Sequence, residues 1–314
     1  MANHTLSSSR LALVTGLLAV AFAGSSAAAG LATDATAGER TPDAVPAGVS
    51  RTYSYETLDY PGASLTIFWG LDDLGELAGQ YAVAGGVSHA MTYRHGKFQP
   101  LEPDKLGTYF SAAGGPNDVG TTFGGYADAS GVQHGFVIRG GRFETVDFRG
   151  HLNSNVDAVD PFGRILGVYW DADGVFHGML SHHGNETPFD VYGARDTYPL
   201  GLNSEGDSVG YWDTDGVVTH GYVRRMTGQV STLDVPGAAS TVAFAINDCG
   251  QVAGYFTDAA GALHGFVKTG KQIRQLDMPG AVATIVTTLN NWGSVAGEYF
   301  DASGVRHGFM ATLK

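Results

Sequence analysis

Asp171 and Asp173 stand two apart in the stretch "DADGVFHGML" (171–180), a glycine follows them, and His177 comes soon after. Carboxylates at i and i+2 ahead of a glycine could open a calcium loop, and a nearby imidazole suits a transition metal. Asp213 and Asp215 in "DTDGVVTHG" repeat the pair. Calcium, however, takes about six to eight oxygens, and neither stretch has the downstream acids to supply them. An aspartate opening a hairpin, with glycine at the positive-φ position, writes the same text.

Comparison along the chain favours the hairpin. The text around His177 recurs six times, anchored on His89, His134, His177, His220, His264 and His307, at intervals of 43 to 45 residues. The first aspartate of the motif is nearly general, as Asp128, Asp171, Asp213, Asp258 and Asp301, whereas the second is not. Six histidines spread over six copies cannot meet at one substrate, so they are expected to hold turns. The acids Asp59, Asp234 and Asp277 of the "D-x-P-G" turns take the same structural reading. Thr66, Ser111, Ser154, Thr197, Thr241 and Thr284 recur at the start of one strand. They could cap its entrance or form a polar ring.

Each copy has the form of "LDVPGAASTVAFAINDCGQVAGYF" (233–256) followed by an "HGF" strand. Turn signals every 8–12 residues divide it into four short strands, with no sustained helical period. Forty-six glycines in 314 residues, with 16% charged residues, suit many tight turns and no long helices. The predicted fold class is all-β, a six-bladed β-propeller with four-stranded blades. The last copy stops after its third strand, while "RTYSYETLDYPG" (51–62) is an orphan fourth strand. The N-terminal strand is therefore expected to pair with the last blade and close the ring, which removes open edges. A linear solenoid would instead need polar caps at both ends.

The recurring text, clear in five copies and degraded to "SHAM" (88–91) in the first, resembles the family of extracellular repeats called HAF over residues 51–314. The resemblance implies export and a repeat architecture, and supplies no catalytic residue.

Residues 1–29 read as a signal peptide: one arginine, an apolar run too short to span a bilayer, then small residues with cleavage expected after Ala23 or Ala29. Residues 30–50 read as a low-complexity linker and 51–314 as a single propeller domain. The mature protein is expected to be secreted, extracellular or periplasmic, with no membrane span, and monomeric. A net charge of −13 without a basic aromatic cluster disfavours nucleic acid as a partner. Cys249 is the only cysteine, so no internal disulfide is available. It sits where the sister copies carry Leu, Val, Phe, Glu and Trp, which disfavours a catalytic thiol.

Function is sought where the copies disagree, because a consensus position serves the scaffold. Blades 1, 5 and 6 are entered by Pro-Gly-Ala loops; blades 2 to 4 are entered by irregular loops at 102–111, 147–154 and 190–197. These carry Lys105, Tyr109, Arg149, His151, Asn153, Arg195 and Asp196, with Asn155, Asp157 and Tyr198 just beyond. One reading is a binding module for a carbohydrate or cell-surface ligand, with Lys105, Asn153, Asn155, Asp157, Asp196 and Tyr198 as ligand-binding residues. The alternative is an extracellular lyase-type enzyme acting on an anionic polysaccharide. There His151 or Tyr109 would abstract a proton while Arg149 and Arg195 neutralise the uronate. Neither reading calls for a cofactor; calcium at the two D-x-D-G loops is the one considered.

Overall fold

Runs rich in Val, Ile, Phe and Tyr alternate with turns built on Asp, Asn and Gly, and each run forms a strand. The computed structural model describes residues 52–84, 86–101, 110–148, 151 and 153–314. The expected signal peptide and linker lie outside these residues, as do Lys105, Tyr109 and Arg149 of the irregular loops. The described residues form 24 strands and no helix, so none is long and apolar enough to cross a membrane.

Four sheets have four antiparallel strands each, and one has eight. The eight strands comprise two further repeats of four, joined by the single parallel pair Leu65 and Arg306. The last repeat takes its fourth strand from the other end of the domain. Tyr53–Thr57 runs antiparallel to Arg306–Leu313, with Tyr53 opposite Leu313 and Thr57 opposite Phe309.

Burial falls across each repeat. The first strand of the last repeat, Ala283–Leu289, is buried throughout, whereas Lys97–Pro100, a fourth strand, has no buried residue. First strands converge: the rings of Trp69 and Phe244, from the first and fifth repeats, lie 5.9 Å apart. Both are the extra residue of a β-bulge, as are Asp157, Leu200 and Thr287 in the matching strands. A bulge re-aims one side chain without breaking the ladder, so five of the six repeats present one bulged residue towards their neighbours.

The core lies between sheets. Leu233, Ala243, Val252 and Phe266 join the fourth and fifth repeats; Leu276, Val286, Val295 and Phe309 join the fifth and sixth. Leu58, Phe68, Met91 and Ala296 join the sixth repeat to the first. Close approach within a sheet depends on one glycine of each second strand. A Cβ at Gly79, Gly124, Gly167, Gly210, Gly254 or Gly297 would be driven into a carbonyl oxygen of the first strand.

The N-D-x-G turns between first and second strands are tied edge to edge. Asp73 N–H donates to Asp118, Asn117 to Val159 O, Arg164 to Ser204 O, Asn203 to Asn247 O, Asn247 to Asn290 O, and Asn290 to Asp72 O. The last of these joins the sixth repeat to the first.

Candidate functional site

The hairpins between second and third strands, and the loops leading from each fourth strand to the next repeat, share one face. The opening motif lies there. Asp171 accepts the backbone N–H groups of Asp173 (2.9 Å) and Val175 (3.0 Å), and the Val175 bond is the chief cause that holds its pKa below the usual carboxylate value. Asp258 and Asp301 cap their hairpins in the same way. The carboxylate is thus occupied by its own turn. Among the described residues no three His, Cys, Asp or Glu side chains converge as a metal site.

Five of the six recurring histidines are held by both an acid and a ring. Nδ1 of His134, His177, His220, His264 and His307 lies 2.7–3.1 Å from Asp147, Asp190, Asp234, Asp277 and Asp59 respectively. Each imidazole also packs on the aromatic ring opposite it on the second strand, as His177 does on Tyr169 at 5.1 Å. The recurrent hydroxyls are buried: Thr66, Thr197, Thr241 and Thr284 accept the N–H of Tyr60, Val191, Val235 and Met278 at 2.9–3.0 Å. They cap the loops and offer no ring to a ligand.

Two of the irregular loops are in view, and they are coupled. His151 N–H closes a turn on Phe148 O at 3.2 Å, the same bond that Ala63 and Ala194 make in their loops. Its ring then lies tilted against Tyr169, centroids 3.6 Å apart, Tyr169 packs on His177, and His177 bonds Asp190. This chain of contacts runs from one loop to the base of the next. Burial, then the charges of Asp190 and Asp171, raise the Tyr169 pKa, so its phenol stays protonated.

Beyond Asp190 the chain turns through Val191, which is buried, and Tyr192, which is fully exposed. Sequence reasoning passed over Tyr192. The signal was present, since Tyr192 occupies the position of Pro61, Pro236 and Pro279 in the regular loops. Nothing in the turn requires a phenol there.

The remaining candidates divide into two groups. Asn153 and Asp196 act as struts: their side-chain oxygens accept Gln133 N–H (3.2 Å) and Phe176 N–H (2.9 Å) from the preceding repeat. Arg195 Nη1 lies 3.8 Å from Asp196, and its charge also acts on Asp213, so the guanidinium balances acids of the fold while bordering the loop. Burial raises Asp213, Asp196 raises it further, and Arg195 opposes both.

Asn155, Asp157 and Tyr198 are buried beneath the loops. Asn155 Nδ2 donates to Asp157 Oδ1 at 2.7 Å, while Asp157 Oδ2 has no hydrogen-bond partner. Burial drives the Asp157 pKa well above the usual carboxylate range, against the bond from Asn155, which favours the neutral carboxyl. Tyr198 stacks parallel on Tyr211, centroids 5.3 Å apart, and burial followed by the Asp157 charge raises its pKa. The structure therefore brings His151, Tyr192 and Arg195 to the accessible loops, and sets Asn155, Asp157 and Tyr198 apart from them in the interior.

Repeated four-stranded antiparallel sheets packed face to face around converging first strands make a propeller-type all-β architecture. No protein-family model matches the chain, and no curated protein does. Among solved structures the chain is similar to TolB from Acinetobacter baumannii, with a TM-score of 0.50 and 11% identity, covering 76% of this chain and 63% of that one. It thus spans less than two thirds of that protein. A putative TolB from Agrobacterium tumefaciens gives a TM-score of 0.53 at 12% identity, covering 78% and 88%. The fucose-recognising Aleuria aurantia lectin, described as a six-bladed β-propeller, gives 0.46 at 10% identity, covering 72% and 78%. At such identities the likeness concerns the fold alone.

Proposed function

We propose that the chain is an exported six-bladed β-propeller of HAF-type repeats, its ring closed by the N-terminal strand, which binds a carbohydrate on the face of the second to fourth blades. The observation that carries the ligand reading is Tyr192. Its ring is fully exposed at a position where three sister loops hold proline, and the preceding loop sets His151 against the ring of Tyr169. Exposed aromatic rings beside hydrogen-bonding groups suit sugars, whose C–H faces pack on a ring while their hydroxyls seek polar partners. Arg195 adds a cation in an acidic protein, which suits an acidic sugar; its attachment to Asp196 limits how freely it can do so.

The geometry gives less support to the lyase reading. His151 is packed against Tyr169, and Arg195 already serves two acids. Retention of the protein on a panel of neutral and uronic polysaccharides, with absorbance followed for unsaturated ends, tests both. Retention without product is expected. Unsaturated product that disappears in His151→Ala would replace the binding reading with the enzymatic one.

A further inference from the structure

The opposite face carries a feature that the proposed sugar site does not use. In four of the six N-D-x-G turns the Asn or Asp oxygen caps two backbone N–H groups: Asp72 caps Leu74 and Glu76, Asn117 caps Val119 and Thr121, Asp160 caps Phe162 and Arg164, and Asn290 caps Trp292 and Ser294; Asn203 and Asn247 cap Asp207 and Gln251. The residue at x contributes only its N–H, so turn chemistry sets no demand on its side chain, and a polar residue is the ordinary choice. Yet five of the six positions are Leu74, Val119, Phe162, Cys249 and Trp292; only Glu205 is polar. Leu74 is 85% exposed, Trp292 70%, Phe162 66% and Val119 61%. Because the six turns are tied edge to edge, these tips lie on one surface. Trp292 donates its indole N–H to Asp73 O at 3.1 Å, which lays its ring along the turn that carries Leu74.

The residues before four of the tips, Asp73, Asp118, Asp248 and Asn291, come together. Asn291 Nδ2 lies 3.0 Å from Asp73, 3.4 Å from Asp118 and 3.5 Å from Asp248, so carboxylates from three repeats meet at one amide. Among the described residues no lysine or arginine pairs with any of the three. Burial, and then the charges of Asp73 and Asp248, raise the Asp118 pKa against a hydrogen bond from Asp73 N–H. The three carboxylates accept backbone N–H groups of neighbouring turns, but among the described residues they have no cation, and together with the exposed apolar tips they form a charged and apolar surface.

We propose that this turn face docks a polypeptide segment in which a basic group is flanked by apolar side chains, the basic group meeting Asp73, Asp118 and Asp248 and the apolar groups packing on Trp292, Leu74 and Phe162. Charge complementarity selects this occupant. A second copy of the chain would bring its own carboxylates against these, and like charges set face to face at a desolvated interface oppose association. The inference is independent of the sugar site, which lies on the other face.

A short fluorescein-labelled peptide of alternating leucine and lysine, titrated into the full chain and followed by fluorescence anisotropy, tests it. Saturable binding is expected. The Asp118→Asn, Asp248→Asn double variant should weaken it by about tenfold, as should raising the salt concentration, since the charged groups are partly exposed. Trp292→Ser, a change at an exposed tip, should weaken it by about fivefold with the melting temperature unchanged. The leucine–glutamate and glycine–lysine peptides should not bind. Equal binding of the leucine–lysine and leucine–glutamate peptides would overturn the proposal. So would unchanged affinity in both variants, or a concentration-dependent dimer in sedimentation that Trp292→Ser dissolves.

Discussion

His307 Nδ1 lies 2.7 Å from the carboxylate of Asp59, a residue 248 positions earlier, and the next N–H, from Gly308, donates to the same carboxylate at 3.1 Å. In four other repeats the same pair is made by residues 13 or 14 apart. A local device of the repeat is thus used once across the two ends of the domain. Burial lowers the His307 pKa, but the hydrogen bonds and charges of Asp59 and Asp301 outweigh it and hold it above the ordinary value. A histidine whose pKa is raised on folding stabilises fully below its unfolded value, about 6.5, and loses that contribution as pH rises through the folded value. Melting temperature is therefore expected to fall as pH rises from about 6 towards 8, and the slope should lessen in His307→Gln. An unchanged slope in that variant would count against the pairing.

Asp157 acts in the same direction through different chemistry. Burial raises its pKa in the folded chain and so favours the neutral form there, which costs stability as pH rises above its unfolded value, about 3.9. Asp157→Asn, which keeps the shape and an acceptor for Asn155, should raise the denaturation midpoint at pH 7 and flatten its pH dependence. A lower midpoint at that pH would mean that the carboxylate is ionised and paired.

Gly210 and Gly184 separate two roles of glycine. A Cβ at Gly210 would strike Tyr198 O, whereas at Gly184, with φ of 76°, nothing lies within 4 Å. Gly210→Ala should cost about 3 kcal/mol or more, as overpacking against a fixed backbone does. Gly184→Ala should cost about 1–2 kcal/mol, for the left-handed backbone alone. Urea titrations of the two variants make the comparison, and equal losses would refute the close-approach account.

The repeat period, the four strands, the pairing of "RTYSYETLDYPG" with the end of the chain and the capping role of Asp171 were legible because each is written in residue type and repeated. Repetition let one copy annotate another. The inward acid at Asp157 was legible as a departure from consensus, but its burial was not, because a β-bulge sets the direction of that side chain and bulges leave little trace in sequence. Tyr192 could have been found by the same rule that singled out Arg195, since it replaces proline; it was passed over in favour of charged neighbours. The apolar tips were visible as Leu, Val, Phe and Trp at the position of Cys249. Only the structure shows that these tips share a surface with three converging carboxylates.

The central claim is that Tyr192 forms the platform for a sugar ligand. Isothermal titration of the glycan best retained by the protein, against the parent chain, Tyr192→Ala and the same-face control Val282→Ser, tests it most directly. Tyr192 is fully exposed and Val282 is 59% exposed, so neither change should move the melting temperature. The account predicts that Tyr192→Ala weakens binding by about tenfold, the loss of one stacked aromatic contact, and that Val282→Ser leaves it unchanged. Equal affinity for the parent chain and Tyr192→Ala would contradict it.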